Sequence, residues 1–295
     1  MAQNITRREA LKRMGLIFGG AAINFTALSV LPSCTSEEKK RLVLYFTATG
    51  NCLYAARQFS DNTVSIAQAM KENNFEFEAD EIGLVLPAYR CAPPEIVKRF
   101  LDKATLKAKY LFAVVTYGAN HCNVVELLDE RARKNGISFD YITTLKMVDN
   151  FLPAFDMNEQ MKMDKDEDGQ ITKIKSDIDS QKKWHEPVTE EERQLRANFV
   201  KARGELFPVR SESLFTITDA CIQCGFCLRV CPRGNYSMSP RIKTEGDCEY
   251  CLACIQNCPQ KAIVLTAGER NPKARYRNPN VSINDIVRAN NQSKI

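Results

Sequence analysis

Eight of the twelve cysteines fall into two matching groups toward the C-terminal end of a 295-residue chain. Cys221, Cys224, Cys227 and Cys231 follow the spacing C-x2-C-x2-C-x3-C with Pro232 next, and Cys248, Cys251, Cys254, Cys258 and Pro259 repeat it 27 positions later. Thiolates are soft ligands suited to iron, and this spacing holds a pair of [4Fe–4S] clusters. Three cysteines on a tight turn reach three corners of one cubane, while the fourth, on the helical turn that follows, points away and completes the other. The pattern therefore predicts one cluster on Cys221, Cys224, Cys227 and Cys258, and a second on Cys248, Cys251, Cys254 and Cys231. A zinc site needs only four ligands, and C-x2-C pairs close loops too short for a disulfide framework to constrain much of the unfolded chain.

A second set of residues suits an anion and a flat ring. Thr47, Ala48, Thr49, Gly50, Asn51 and Cys52 lie between an apolar run at 41–46 and a helix-spaced segment at 53–59. A strand, a loop with hydroxyls and glycine, and a helix start make a phosphate cradle of backbone N–H groups, reinforced by the helix N-terminus. The loop has no lysine and matches neither G-x4-G-K-[ST] nor G-x-G-x-x-G, which argues against a nucleoside triphosphate or a dinucleotide. Two more strand-like runs, 82–86 and 111–115, each end in a loop. The first is Pro87, Ala88, Tyr89, Arg90 and Cys91, and the second is Thr116, Tyr117, Gly118, Ala119 and Asn120. Loops at the carboxyl ends of parallel strands are where doubly wound sheets bind ligands. Tyr89 and Tyr117 suit stacking on a flat ring, or plain packing at strand ends, and Gly118 permits close backbone approach. Cys91 and Cys122, in or beside these loops, read as small apolar packing residues, with thiols adjacent to the ring as the alternative, and His121 reads as the start of a helix.

The loop at 47–52 resembles the T-x-T-G-x-T phosphate loop of flavodoxins, with Cys52 in place of the last hydroxyl residue. From residue 41 onward the chain resembles bacterial flavodoxin–ferredoxin fusion proteins, the EFR-type ferredoxins. The motifs that carry the likeness are residues 45–54, 83–89 and 113–118, the two cysteine quartets, and the closing Arg275-Tyr276-Arg277-Asn278-Pro279-Asn280. The resemblance implies an α/β flavodoxin-like doubly wound parallel sheet in three α/β/α layers, followed by an α+β bacterial 2[4Fe–4S] ferredoxin domain. It also implies FMN, two [4Fe–4S] clusters and a role in electron transfer.

The elements that must position these residues divide the chain at 1–40, 41–155, 156–213, 214–266 and 267–295. The first is an export segment. Arg7-Arg8 precedes an uncharged stretch at 14–31, like a twin-arginine signal, and Leu31-Pro32-Ser33-Cys34 resembles a lipobox with Cys34 as the lipidated residue. The expected location is therefore the non-cytoplasmic face of a membrane, with an uncleaved N-terminal anchor as the alternative. The polar stretch at 156–213 reads as a helical connector, with a capping box at Thr189 and Glu192 and an amphipathic run through Leu195, Phe199, Val200 and Leu206. Asp164, Asp166 and Asp168 imitate half of a calcium loop, but Lys175 stands where a bidentate glutamate is required, so the segment reads as a solvated turn. The basic tail with Arg270, Lys273, Arg275 and Arg277 reads as a solvated strap, in which Tyr276 and Val281 suggest partial packing; a docking surface for an acidic partner or the flavin phosphate is the other reading.

A formal net charge of +5, concentrated at the N-terminus, makes no electrostatic case for nucleic acid. Clusters move electrons singly and flavins take one or two, so the leading expectation is an electron carrier between redox proteins. An FMN-dependent reductase of a small molecule or quinone and an iron–sulfur redox sensor are the alternatives.

Overall fold

The computed structural model describes residues 39–204 and 209–293, all within one compact unit. Cys34, the twin-arginine segment and Leu206 lie outside the described residues. Strands β1 (Arg41–Tyr45), β3 (Glu81–Pro87) and β4 (Tyr110–Tyr117) are apolar with little alternation and are buried along almost their whole length. That is the signature of parallel strands covered on both faces. With β2 (Thr63–Ser65), β5 (Tyr141–Lys146) and β6 (Trp184–His185) they form one parallel sheet in the order β2-β1-β3-β4-β5-β6. The first five strands have the flavodoxin-like order, with its topological switch point between β1 and β3.

Helices α1 (Asn51–Phe59), α2 (Ile66–Glu72), α3 (Glu95–Leu101) and α4 (Val124–Lys134) connect these strands and bury apolar faces on the sheet. The stretch expected to be a connector from residue 156 onward instead completes this domain. In α5 (Glu167–Asp179) the buried residues Ile171, Ile174 and Ile178 follow helical spacing. Beyond it, β6 adds to the sheet edge through Trp184 N–H to the Asp140 carbonyl and Glu186 N–H to the Ile142 carbonyl. Polar composition hid an element whose apolar stripe is only one residue wide. Asp166 begins α5 and Asp164 accepts its backbone N–H, so the calcium-like segment is a helix-starting turn. The capping box at Thr189 and Glu192 opens α6 (Glu190–Arg203), whose Arg193 pairs with Glu126 of α4.

In the C-terminal half, β7 (Phe215–Ile217) pairs antiparallel with β10 (Ile263–Leu265), and β8 (Tyr236–Met238) with β9 (Ile242–Thr244). Short helices α7 (Phe226–Val230) and α8 (Ala253–Gln256) carry the third cysteine of each run, Cys227 and Cys254. This half packs closely on the sheet domain. Glu249 caps the start of α3 by accepting the Ile96 N–H, and Gln256 bridges the Asn150 carbonyl to the Tyr276 N–H.

The tail departs most from expectation, because it packs instead of lying solvated. Ala274, Tyr276, Asn278, Val281, Ile286, Ala289 and Asn290 are buried, and Arg275 turns inward onto Glu269 at 2.7 Å. Its last helix, α9 (Ile283–Asn290), opens with a capping box between Ser282 and Asp285, and Asp285 also pairs with Arg57 of α1 at 2.7 Å and with Arg288. The Arg57 guanidinium, with help from Ser282, holds the Asp285 carboxyl well below the usual carboxylate range. Its contribution to stability is therefore fully present above the unfolded value of about 3.9 and fades as pH falls through the lower native value. Asp285→Asn is expected to lower stability by about 1–2 kcal/mol at neutral pH. The gap between variant and parent in denaturation series should begin to narrow below about pH 4 and go on narrowing as pH falls toward the lower native value.

Among the described residues, no helix is long and apolar enough to cross a membrane.

Candidate functional site

The two cysteine runs fold as copies of one local structure. Left-handed backbone recurs at the 27-residue offset: Gln223 and Tyr250 (φ 55° and 52°), Gly225 and Leu252 (φ 73° and 60°), Gly234 and Lys261 (φ 66° and 50°). The first three cysteines of each run line one small cavity, and using Leu252 and Lys261 where the first copy has glycine costs about 1–2 kcal/mol each. The fourth thiols are also treated alike. Asn235 N–H points at Cys231 Sγ (3.4 Å) and Ala262 N–H at Cys258 Sγ (3.3 Å), while Tyr250 N–H points at Cys248 Sγ (3.2 Å).

The crossed grouping expected from the spacing is what the fold produces. Cys221, Cys224, Cys227 and Cys258 line one small cavity, and Cys231, Cys248, Cys251 and Cys254 line another. Burial pushes the Cys227 and Cys248 thiols up to about 12, and raises Cys231, Cys251 and Cys254. Lone thiolates would be poorly solvated there, so the sites suit a cationic iron centre whose binding drives off the protons. Two all-thiolate quartets with N–H donors aimed at sulfur fit two [4Fe–4S] clusters, which these eight residues would hold. The quartets differ in exposure: Cys224 is exposed and Cys221 and Cys258 half-buried, whereas Cys231, Cys248, Cys251 and Cys254 are all buried.

A larger cavity of about 340 Å³ opens at the carboxyl ends of β1, β3, β4 and β5, beside the switch point. The structure brings together on its wall Thr47, Ala48, Thr49, Asn51, Cys52, Pro87, Ala88, Tyr89, Thr116, Tyr117, Gly118, Ala119 and Asn120. Gly50 is the exception among the expected residues. At φ 104° it starts α1 from a left-handed conformation, and a Cβ there would meet Val281 at 2.9 Å and Asn278 at 3.0 Å. It faces the tail, not the cavity. The tail clasps the same loop from behind: Asn278 N–H reaches the Thr49 carbonyl, Asn290 Nδ2 the Thr47 carbonyl, and Tyr276 Oη donates to Asn51 Oδ1 at 2.6 Å.

The fourth loop, after β5, was missed by sequence reading; the aromatic and β-branched run Tyr141-Ile-Thr-Thr was the available signal for its strand. Met147, Asp149, Asn150, Phe151 and Phe155 line the cavity. Asp149 joins two loops by accepting Ala119 N–H at 2.9 Å and Phe151 N–H at 3.0 Å, and burial raises its carboxyl above the usual range. Gly118 is required by this packing, since a Cβ would meet Asp149 at 2.2 Å. Asn150 Nδ2 donates to Thr49 Oγ1 at 2.6 Å. Phe199 of α6 and Tyr250, Cys251 and Leu252 of the second cysteine turn close the wall.

Cys52 is an inert thiol: burial raises it to about 12, and its sulfur contacts Thr116 Oγ1 at 3.1 Å. His121 lies just ahead of α4, its Nε2 3.1 Å from Glu192 and its ring edge-on to Tyr117. Cys91 and Cys122, expected to be separate packing residues, are joined as a disulfide. The register of β3 on β4, with Pro87 opposite Thr116, sets their two loops side by side. Residues 89–92 form a two-residue hairpin turn in which Arg90 and Cys91 both have positive φ (47° and 61°), the arrangement of a type I′ turn.

A family model for a 4Fe-4S dicluster domain matches residues 220–262. No curated protein matches the chain. Among solved structures, a flavoprotein in complex with FMN from Lactobacillus acidophilus is 17% identical over 36% of this chain and 93% of its own, with a TM-score of 0.26. The Trp repressor binding protein from Bacillus subtilis is 11% identical over 47% of this chain and 98% of its own (TM-score 0.32). An NAD(P)H:quinone oxidoreductase from Methanothermobacter marburgensis is 10% identical over 50% of this chain and 99% of its own (TM-score 0.33). The strand order and the two quartets define the class: an iron–sulfur electron-transfer protein built on a flavodoxin-like sheet.

Proposed function

We propose that the chain passes electrons between its two clusters and an FMN held in the cavity at the ends of β1, β3, β4 and β5. The observation that carries this reading is the position of Cys251, which belongs to the wall of the larger cavity and to the second quartet alike. A cluster on Cys231, Cys248, Cys251 and Cys254 then adjoins whatever fills that cavity. The other quartet lines a separate cavity that shares no residue with the larger one; there Cys224 is exposed and Ile222 is 61% exposed, which makes it the natural point of exchange with a protein partner.

The cavity suits FMN in size and lining, since small-molecule sites run from about 300 Å³ upward and are mostly apolar with a few convergent polar groups. Thr47, Thr49 and the start of α1 would hold the phosphate. Tyr89, Tyr117, Phe151 and the backbone at Gly118 would bound the ring. When bound, FMN supplies a centre that takes one or two electrons, which is what couples one-electron clusters to two-electron chemistry. The protein's own contribution is to keep Cys251 on that wall and to shield the buried quartet from water. Anaerobic purification should yield about eight iron atoms per chain together with bound FMN. Iron without flavin, even after incubation with FMN, would overturn the flavin half of this reading.

The proposal extends to location: export by the twin-arginine route and anchoring through Cys34, supported by the Arg7-Arg8 motif ahead of an uncharged stretch. Replacing both arginines with lysine should leave the protein in the cytoplasm, and unchanged fractionation would refute the route.

A further inference from the structure

We propose that the Cys91–Cys122 disulfide is a third redox centre, which accepts an electron pair from the flavin placed in the cavity; this rests on the flavin reading above. Cys91 and Cys122 are 31 positions apart in sequence, and their Cα atoms lie 5.3 Å apart across the loops that follow β3 and β4. They are only 4% and 1% exposed, yet Cys91 forms part of the cavity wall beside Tyr89, Thr116 and Tyr117. The bond is thus shielded from solvent, and its Cys91 half borders the cavity, where an occupant is better placed to reach it than a large external reductant. A disulfide that served only to tie two loops would gain nothing from that placement.

Backbone conformation points the same way. Cys91 and Cys122 both hold left-handed backbone (φ 61° and 50°), as does Arg90 (φ 47°), which L-residues adopt at a cost. Strained backbone concentrates at functional sites, where surrounding structure over-determines it. Cys251 stands on the same cavity wall, so one cavity has a one-electron cluster ligand on one side and a two-electron acceptor on another. A flavin between them is the converter that such a pairing requires.

At Cys91 and Cys122 the S–S bond would break and two S–H bonds form, with two electrons and one proton coming from the anionic, fully reduced flavin and the second proton from solvent. Two electrons passed singly from the clusters, with one proton from solvent, would restore the reduced flavin.

The test uses flavin- and iron-loaded protein, photoreduced anaerobically without thiols, quenched in acid and alkylated, with the Cys91 and Cys122 peptides read by mass spectrometry. Both cysteines should be alkylated in loaded protein and at least tenfold less so in flavin-stripped protein. Reductive titration should consume about six electrons per chain, against about four for Cys91→Ser/Cys122→Ser. Unlabelled cysteines in protein whose flavin and clusters are fully bleached would reduce the disulfide to a staple. Equal labelling without flavin would overturn the flavin as donor. Failure of the underlying flavin reading shows separately, as protein that takes up no FMN.

Discussion

Cys231→Ser is expected to remove the cluster bounded by Cys248, Cys251 and Cys254, although residue 231 belongs to the other run. Cys258→Ser is expected to remove the cluster on Cys221, Cys224 and Cys227. Each change should lower iron from about eight to about four atoms per chain. Their consequences for electron flow should be opposite. The cavity that Cys258 lines is shared with the exposed Cys224, whereas the one that Cys231 lines is shared with Cys251 on the wall of the larger cavity. Without Cys231 the flavin loses its adjoining cluster, and the remaining cluster should exchange with external protein partners but no longer reduce FMN. Without Cys258 the flavin keeps its neighbour, and exchange with protein partners should fail instead. Uncrossed ligation would interchange the two outcomes, so paired iron assays and single-turnover reduction decide the assignment.

Thr49→Asp is expected to weaken FMN binding by about 100-fold or more while leaving the iron content intact. Thr49 is 2% exposed, and its hydroxyl faces both the cavity and Asn150. A carboxylate there would confront the flavin phosphate, and like charges brought together cost several kcal/mol, where each 1.4 kcal/mol is about tenfold in affinity. The loop carries no lysine or arginine that would neutralise the added charge, and Arg57, within α1, is already paired with Asp285. Flavin fluorescence titration checks the affinity. Thr49→Ser, which keeps the hydroxyl, should bind nearly as well as the parent, and this separates charge repulsion from general damage to the loop.

What was legible in the sequence was chemistry written at short range. The quartets and the loops at Thr47, Pro87 and Thr116 each depend on residues a few positions apart, and their places in the fold follow from strands whose apolar runs are plain. What was hidden depends on distant segments. Cys91 and Cys122 become partners only because β3 and β4 lie side by side, which no spacing within either loop discloses. The tail reads as basic and soluble, yet Tyr276, Asn278 and Asn290 spend their polar groups on the phosphate-type loop, and buried amides of this kind look like surface residues in composition. Residues 156–186 were hidden by charge, since α5 shows only Ile171, Ile174 and Ile178 to the sheet. Gly50 was expected to line the cofactor site, but it faces the tail, because the side it leaves open is taken by Val281.

The loop after β5, the cysteine turn at 248–254 and the tail meet around Gln256, which bonds the Asn150 carbonyl on one side and the Tyr276 N–H on the other. The cavity is therefore built by both halves of the chain, and neither the sheet nor the cluster domain alone would enclose it.

The central claim is that electrons cross from the clusters to FMN within one chain. The most direct measurement is anaerobic flash reduction of the clusters in flavin-loaded protein, with flavin bleaching followed in time at several protein concentrations. The expected result is a first-order phase whose rate does not change with concentration and which Cys231→Ser abolishes. Bleaching whose rate rises in proportion to protein concentration, or that survives loss of Cys231, would contradict it.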